Sequence, residues 1–245
     1  FGVPDDVDYS NIPWRSARFD EEALTNAVST RARAQNALEQ LTQRGGDKTL
    51  AFCCSRRHAD FMAGFFNGNG CRSVAVHSGD TSAPRAASLE QLESGELDVI
   101  FSVDMFNEGL DIPNINTVMM LRPTESSVLW LQQFGRGLRK KIGMYAEKKV
   151  LKVIDYIGNH RVFLNKPRSL FGLNEGDREI AFALEHLRER NEELPDGCEV
   201  TYDLKSIEII NSLLKVGTQN DAIEQFYKDF KERHGTRPTA LEAFH

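Results

Sequence analysis

No apolar run in this sequence approaches the ~20 residues needed to span a bilayer, which excludes an integral membrane protein built on helices. No secretory signal pattern opens the chain. It begins at Phe1, without a Met, and reads as a piece of something longer. Cysteine is scarce: Cys53, Cys54, Cys71 and Cys198 are the full set, and no two of them form a C-x-x-C pair. That spacing argues against a zinc site and against a disulfide framework. Buried, reduced thiols in a cytoplasmic protein are the expectation. The sequence also lacks G-x-S-x-G, a Cys/His pairing at a recognisable turn, and a cluster of metal ligands, so a self-contained hydrolase or metalloenzyme finds no support. There is no internal repeat and no low-complexity tract.

Net charge is −6, the wrong sign for a chain that simply coats nucleic acid. The distribution says more. Residues 131–170 hold ten Lys/Arg against Glu147 and Asp155, whereas residues 174–245 hold nine basic against sixteen acidic residues. A +8 stretch beside a −7 stretch suggests a phosphate-facing zone in an acidic body, although a solvated loop rimmed by lysines would look the same.

Residues 1–19, with Gly2, Pro4 and Pro13, read as an extended lead-in, and Asp20 to Arg44 reads as helix stopped by Gly45-Gly46. The pattern then changes to short apolar runs rich in Val, Ile and Phe at 49–54, 73–77, 98–103, 116–121 and 149–156. Runs without polar alternation suit strands buried on both faces of a parallel sheet. Helical stretches at 56–67, 82–94 and 125–140 separate them. This alternation predicts an α/β fold, a mostly parallel sheet with helices on both faces, over 46–168. A lead-in linker and helix precede it over 1–45. After Pro167 the strand signal fades, and 177–190, 203–215 and 219–234 look helical, so 169–245 is expected to be a helical appended domain. Thr239 and Glu242 form a capping box near its end.

The stretch 132–140, QQFGRGLRK, poses the functional question. On a helix, Leu131, Phe134 and Leu138 share a core-facing stripe, while Gln132, Arg136 and Arg139 share another. Gly135 and Gly137 each weaken the helix by about 1 kcal/mol relative to Ala, which suggests close approach of a ligand to the backbone. Two arginines and a glutamine on one face suit a polyanion such as a nucleoside triphosphate; pairing with distant carboxylates would explain them equally well. Upstream, SVDMFNEGLDIP (102–113) leaves a buried strand and turns through Glu108 and Gly109 to Asp111. Ligands of α/β sheets bind beyond the carboxyl ends of strands, where this turn would sit.

SVDMFNEGLDIP resembles motif V of superfamily 2 helicases, and QQFGRGLR resembles their motif VI. TLAFCCSRRHAD (49–60) is similar to motif IV, and VAVHSG (74–79), with Arg85 shortly after, to the H-x-G segment that follows it. The run 153–167 further resembles a bacterial subgroup of DEAD/DEAH-type helicases. The ordered set, over 49–140, implies the C-terminal RecA-like motor lobe of an ATP-dependent helicase. By that resemblance Arg136 and Arg139 are arginine fingers, and Gly109, Asp111, Gln132 and Glu108 contact the nucleotide. Ser55, Arg56, Ser78, Gly79 and Ser102 line the nucleic-acid strand, DNA being favoured over RNA. Each of these serines could equally be an ordinary helix cap, and His77 a turn residue.

The family's first lobe carries G-x-x-x-x-G-K-[ST] and an acidic box, and neither occurs here. GGDKT (45–49) precedes a strand, whereas a phosphate loop follows one. The resemblance therefore implies that ATP and Mg are held mainly by an N-terminal lobe of the same polypeptide, and that this chain alone is inactive as an ATPase. A non-hydrolysing RecA-like module that grips nucleic acid or a partner is the alternative, against which the intact Gln132, Arg136 and Arg139 argue.

Overall fold

The computed structural model describes residues 1–103, 115–123, 150–173, 177–194 and 198–215, together with 227, 230–231 and 237. The strands are β1 (Gly2–Pro4), β2 (Trp14–Arg15), β3 (Arg18–Phe19), β4 (Thr49–Phe52), β5 (Ser73–Val76), β6 (Val99–Ser102), β7 (Thr117–Met120) and β8 (Lys152–Ile157). Six of them form one sheet in the order β1-β8-β7-β4-β6-β5, and every pairing in it is parallel. β2 and β3 make a separate antiparallel hairpin.

The expected strands lie where the apolar runs placed them, and the reason is two-sided burial. Leu50 and Phe52 of β4 turn to one face, where Val76, Ile100, Val118 and Met120 meet Leu92. Leu92 belongs to helix α4 (Arg85–Ser94). Ala51 turns to the opposite face, where Phe101, Met119 and Ile154 meet two helices, α2 (Arg31–Arg44) and α3 (Arg56–Gly68). Ala34, Ala37 and Leu41 of α2 and Ala59, Met62 and Phe66 of α3 make that contact. A strand covered on both sides has no polar face to show, so alternation is lost.

Two details depart from the sequence reading. The helix expected over 20–44 is two helices, α1 (Glu21–Val28) and α2, because Thr30 leaves helical geometry and its hydroxyl accepts from Arg33 N at 3.3 Å. An N-cap inside an apolar-periodic run starts a new helix. The lead-in is more than a linker. β1 extends the sheet beside β8, with Gly2 opposite Asp155 and Pro4 opposite Ile157. Gly2 also lies against the Tyr202 ring, which would stand 2.2 Å from a Cβ there. Only glycine permits that approach.

The C-terminal segment is helical as expected, at Asp177–Glu185, Leu187–Glu192 and Leu204–Lys215. Its apolar residues Ile180, Leu184, Ile210 and Leu213 share one core with Tyr9, Phe19, Leu24 and Val28 from the chain's start and with Phe163. The first 28 residues and the helices between 177 and 214 thus share one core beside β1 and β8. The capping box at Thr239 and Glu242 and most of the helix expected over 219–234 lie outside the described residues.

The described members of the basic stretch 131–170 serve structure. Lys166 is buried against Asp155 and donates to Tyr156 O at 2.9 Å. Arg161 and Arg168 both reach Asp177, and Lys152 donates to Gly45 O. Charge density along the sequence therefore overstates the phosphate-facing zone in this part of the chain.

Candidate functional site

Because the sheet is parallel, all six strands end at one edge. Phe52, Val76, Ser102 and Met120 stand in one register row there, through the pairings of β4, β5, β6 and β7. Strands lie about 4.8 Å apart, so Ser102 and Met120, either side of Phe52, are about 10 Å apart. The chain enters 104–114 from the end of β6 and 124–149 from just beyond the end of β7. Both segments expected to touch nucleotide therefore depart from this same edge. Glu108, Gly109, Asp111, Gln132, Arg136 and Arg139 themselves lie outside the described residues.

Three residues past β4, Ser55 adopts extended geometry and caps α3. Its Oγ accepts from His58 N at 3.2 Å. Thr25 of α1 donates to the same oxygen at 2.7 Å. With both acceptor positions used, the O–H of Ser55 is its remaining donor. Arg56 follows and is exposed.

The loop after β5 is built around His77, whose side chain is 1% exposed. Gly79 N donates to His77 Nδ1 at 3.0 Å. Nε2 therefore carries the ring proton, and it faces Asp60 Oδ1 at 3.0 Å. The other carboxylate oxygen of Asp60 accepts from the Thr81 hydroxyl at 2.9 Å, and His77 N donates to Ser82 Oγ. His77 is thus the turn residue that fixes the backbone of 77–82. A Cβ on Gly79 would meet Arg56 Cδ at 3.2 Å and the imidazole at 3.1 Å. The glycine lets the Arg56 stem cross the loop. Arg56, Ser78 and Gly79 come together in this way, with Ser55 at the base of Arg56, while Ser78 stays exposed.

Ser102 differs. It is fully buried, and its Oγ has no hydrogen-bond partner among the described residues. The structure does not bring it to the surface formed by Arg56, Ser78 and Gly79.

Behind this edge lies a polar network that the sequence reading missed. Arg33 and Asp5 form a buried ion pair at 2.9 Å. Arg33 also donates to Leu121 O at 2.9 Å, just past β7, and stands 3.5 Å from His58 Nε2. Asp5 further accepts from the Tyr9 hydroxyl at 2.7 Å and from Val7 N. Burial raises the Asp5 carboxyl, but the Arg33 charge and these hydrogen bonds outweigh it and hold the group below the usual carboxylate range. Burial, then the neighbouring Arg33 charge, keeps His58 well below the usual imidazole range, so it is neutral. Cys54, 3.4 Å from His58 Nδ1, has its thiol raised chiefly by burial. With a neutral imidazole and a raised thiol, this Cys/His pair is not an activated nucleophile. Asp5, Arg33 and His58 are far apart in sequence, and no motif links them.

Among the described residues no group of three or more His, Cys, Asp or Glu could hold a metal ion. No helix among them is long and apolar enough to cross a membrane.

Residues 33–141 match the family described as helicase conserved C-terminal domain. Among curated proteins, the chain is similar to "Putative ATP-dependent helicase IRC3" of Saccharomyces cerevisiae, 27% identical over 179 residues, or 71% of this chain and 25% of that protein. It is also similar to UvrABC system protein B of Chlamydia pneumoniae, 30% identical over 115 residues, or 44% of this chain and 18% of that one. A crystal structure of the E. coli DEAD-box protein SrmB aligns at 17% identity with a TM-score of 0.47, covering 67% of this chain and 80% of that chain. The chain thus spans a quarter or less of the length of these two curated relatives.

Proposed function

We propose that the chain, whose residues 33–141 match the helicase conserved C-terminal domain family, is the second motor lobe of an ATP-dependent nucleic-acid helicase or translocase of superfamily 2. The observation that carries the reading is the common departure of 104–114 and 124–149 from the edge that also presents Arg56, Ser78 and Gly79. A motor needs its nucleotide contacts and its strand contacts on one rigid support, so that a change at one is felt at the other.

In this reading Arg136 and Arg139 stabilise the charge that develops on the transferred phosphoryl group, an effect worth about 10³–10⁵ in kcat for such residues. Gly109 and Asp111 approach the nucleotide, with Gln132 and Glu108 beside them. ATP and Mg are held mainly by an N-terminal lobe of the same polypeptide, and the chain alone is inactive as an ATPase. Arg56, Ser55, Ser78 and the Gly79 backbone hold strand phosphates. Small hydroxyls, backbone and one guanidinium bind phosphate without reading bases, as translocation requires. Ser102 supports that face from beneath. The strand is DNA ahead of RNA, and the compartment is the cytoplasm. The test is nucleic-acid-stimulated ATP turnover by full-length protein carrying Arg136→Ala or Arg139→Ala. Turnover that stays near wild type in both overturns the reading.

A further inference from the structure

The β2–β3 hairpin lies outside residues 33–141, and the motifs give it no role. Its geometry is unfavourable in two independent ways. Arg15 and Arg18 are directly opposed across the ladder, where like charges destabilise. The two residues of the turn, Ser16 and Ala17, have φ of 51° and 59°. A two-residue hairpin turn of this kind favours Asn and Gly because other side chains are strained at positive φ. All four residues are exposed.

Neither guanidinium forms an ion pair among the described residues. The acids that follow do not supply one: Asp20 accepts from Ala23 N as the cap of α1, and Glu21 and Glu22 occupy the first helical turn. The hairpin is nonetheless held firmly at its base. Trp14 and Phe19 meet edge to face at 4.6 Å between ring centroids, and both lie 4.7 Å from the ring of His160, just beyond the end of β8. The base of the hairpin therefore sits at the carboxyl edge of the sheet, the edge at which Ser55 also lies, past β4. Only α1 separates them: it starts two residues after β3, and its Thr25 and Asn26 bond Ser55 and Arg57. From Asp20 to Thr25 is about 7 Å of helix rise.

We propose that Arg15 and Arg18 form a second phosphate clamp for the nucleic-acid strand, an extension of the face that carries Arg56 and Ser78. Two exposed arginines paired across a two-stranded ribbon can each bind a phosphate of one strand. The occupant's negative charge relieves the repulsion that the free hairpin carries. The inference rests on the strand-binding reading above and adds a contact outside the helicase domain.

The test is a fluorescence-anisotropy titration of a labelled single-stranded oligonucleotide with this chain, between about 50 and about 200 mM salt, where each phosphate contact contributes about 0.7 to the slope of log K against log salt. Arg15→Ala/Arg18→Ala is expected to reduce that slope by about 1.4, two contacts' worth, with thermal unfolding no lower than that of the unmodified chain. Arg15→Lys/Arg18→Lys restores the slope, because it is set by charge. If the alanine pair leaves the slope unchanged while Arg56→Ala weakens binding, the hairpin inference is overturned and the strand-binding reading stands. If the unmodified chain shows no binding at the lowest salt, the strand-binding reading fails and the inference falls with it.

Discussion

His77 Nε2 and Asp60 Oδ1 stand 3.0 Å apart, joining the loop after β5 to the middle of α3. The other ring nitrogen accepts from Gly79 N, so one imidazole orients the backbone that places Ser78 and Gly79 beside Arg56. Two-bond ¹H–¹⁵N spectra are expected to show His77 as the Nε2–H tautomer. Asp60→Ala, which frees both the ring and Thr81, should weaken oligonucleotide binding by about three- to tenfold, the size of an ordinary hydrogen bond, because the Asp60 side chain is partly exposed. Asp60→Asn should retain most of it. An Asp60→Ala variant with wild-type affinity would show that the loop holds its shape without this pair.

The Asp5–Arg33 pair ties the strand β1 to α2 and to the carbonyl past β7. Removing one partner leaves a buried charge, which costs about 3–5 kcal/mol. Asp5→Ala and Arg33→Ala should each lower the unfolding free energy by that order in urea titrations. Replacing both, as in Asp5→Leu/Arg33→Met, should recover much of the loss, because no unpaired charge remains. Additive losses in the double variant would contradict the assignment.

Stability should fall in mild acid. His58 has a folded pKa well below the ordinary value, by burial and then by the Arg33 charge, and His160 is lowered by burial and then by Arg161. Below about pH 6.5 the unfolded chain binds protons that these rings refuse, so unfolding becomes more favourable as pH drops. His58, fully buried, contributes up to about 1.4 kcal/mol per pH unit, and the partly exposed His160 contributes less. Asp5, whose folded pKa is lowered, adds a further loss only at lower pH, below the unfolded carboxylate value. His58→Gln should remove about one proton's worth of the slope between pH 6.5 and 5. A slope unchanged in His58→Gln would mean that the ring protonates in the folded state.

The sheet was legible because two-sided burial leaves unbroken apolar runs, as at Leu50–Phe52 and Val99–Phe101. β1 was not, since three residues containing Gly2 and Pro4 carry turn signals, and only pairing with β8 makes them a strand. The break at Thr30 could have been read from a Thr followed by Arg-rich helix, but the apolar period of Leu24, Val28 and Leu38 runs straight through it. Ser55, Arg56, Ser78 and Gly79, proposed above to hold the strand, were singled out by motif resemblance alone. Asp60, Thr25 and the Asp5–Arg33–His58 network were not, because long-range polar pairs leave no periodic trace in sequence.

The most direct test of the motor-lobe account is ATP turnover in the presence of saturating nucleic acid, with nucleotide binding titrated in parallel. Arginine fingers act through the transition state, so full-length Arg136→Ala and Arg139→Ala proteins should each lose at least about 10³-fold in kcat while nucleotide affinity changes little. The isolated 245-residue chain should hydrolyse ATP no faster than buffer. Robust hydrolysis by that chain alone, or near-wild-type turnover in both alanine variants, would contradict the account.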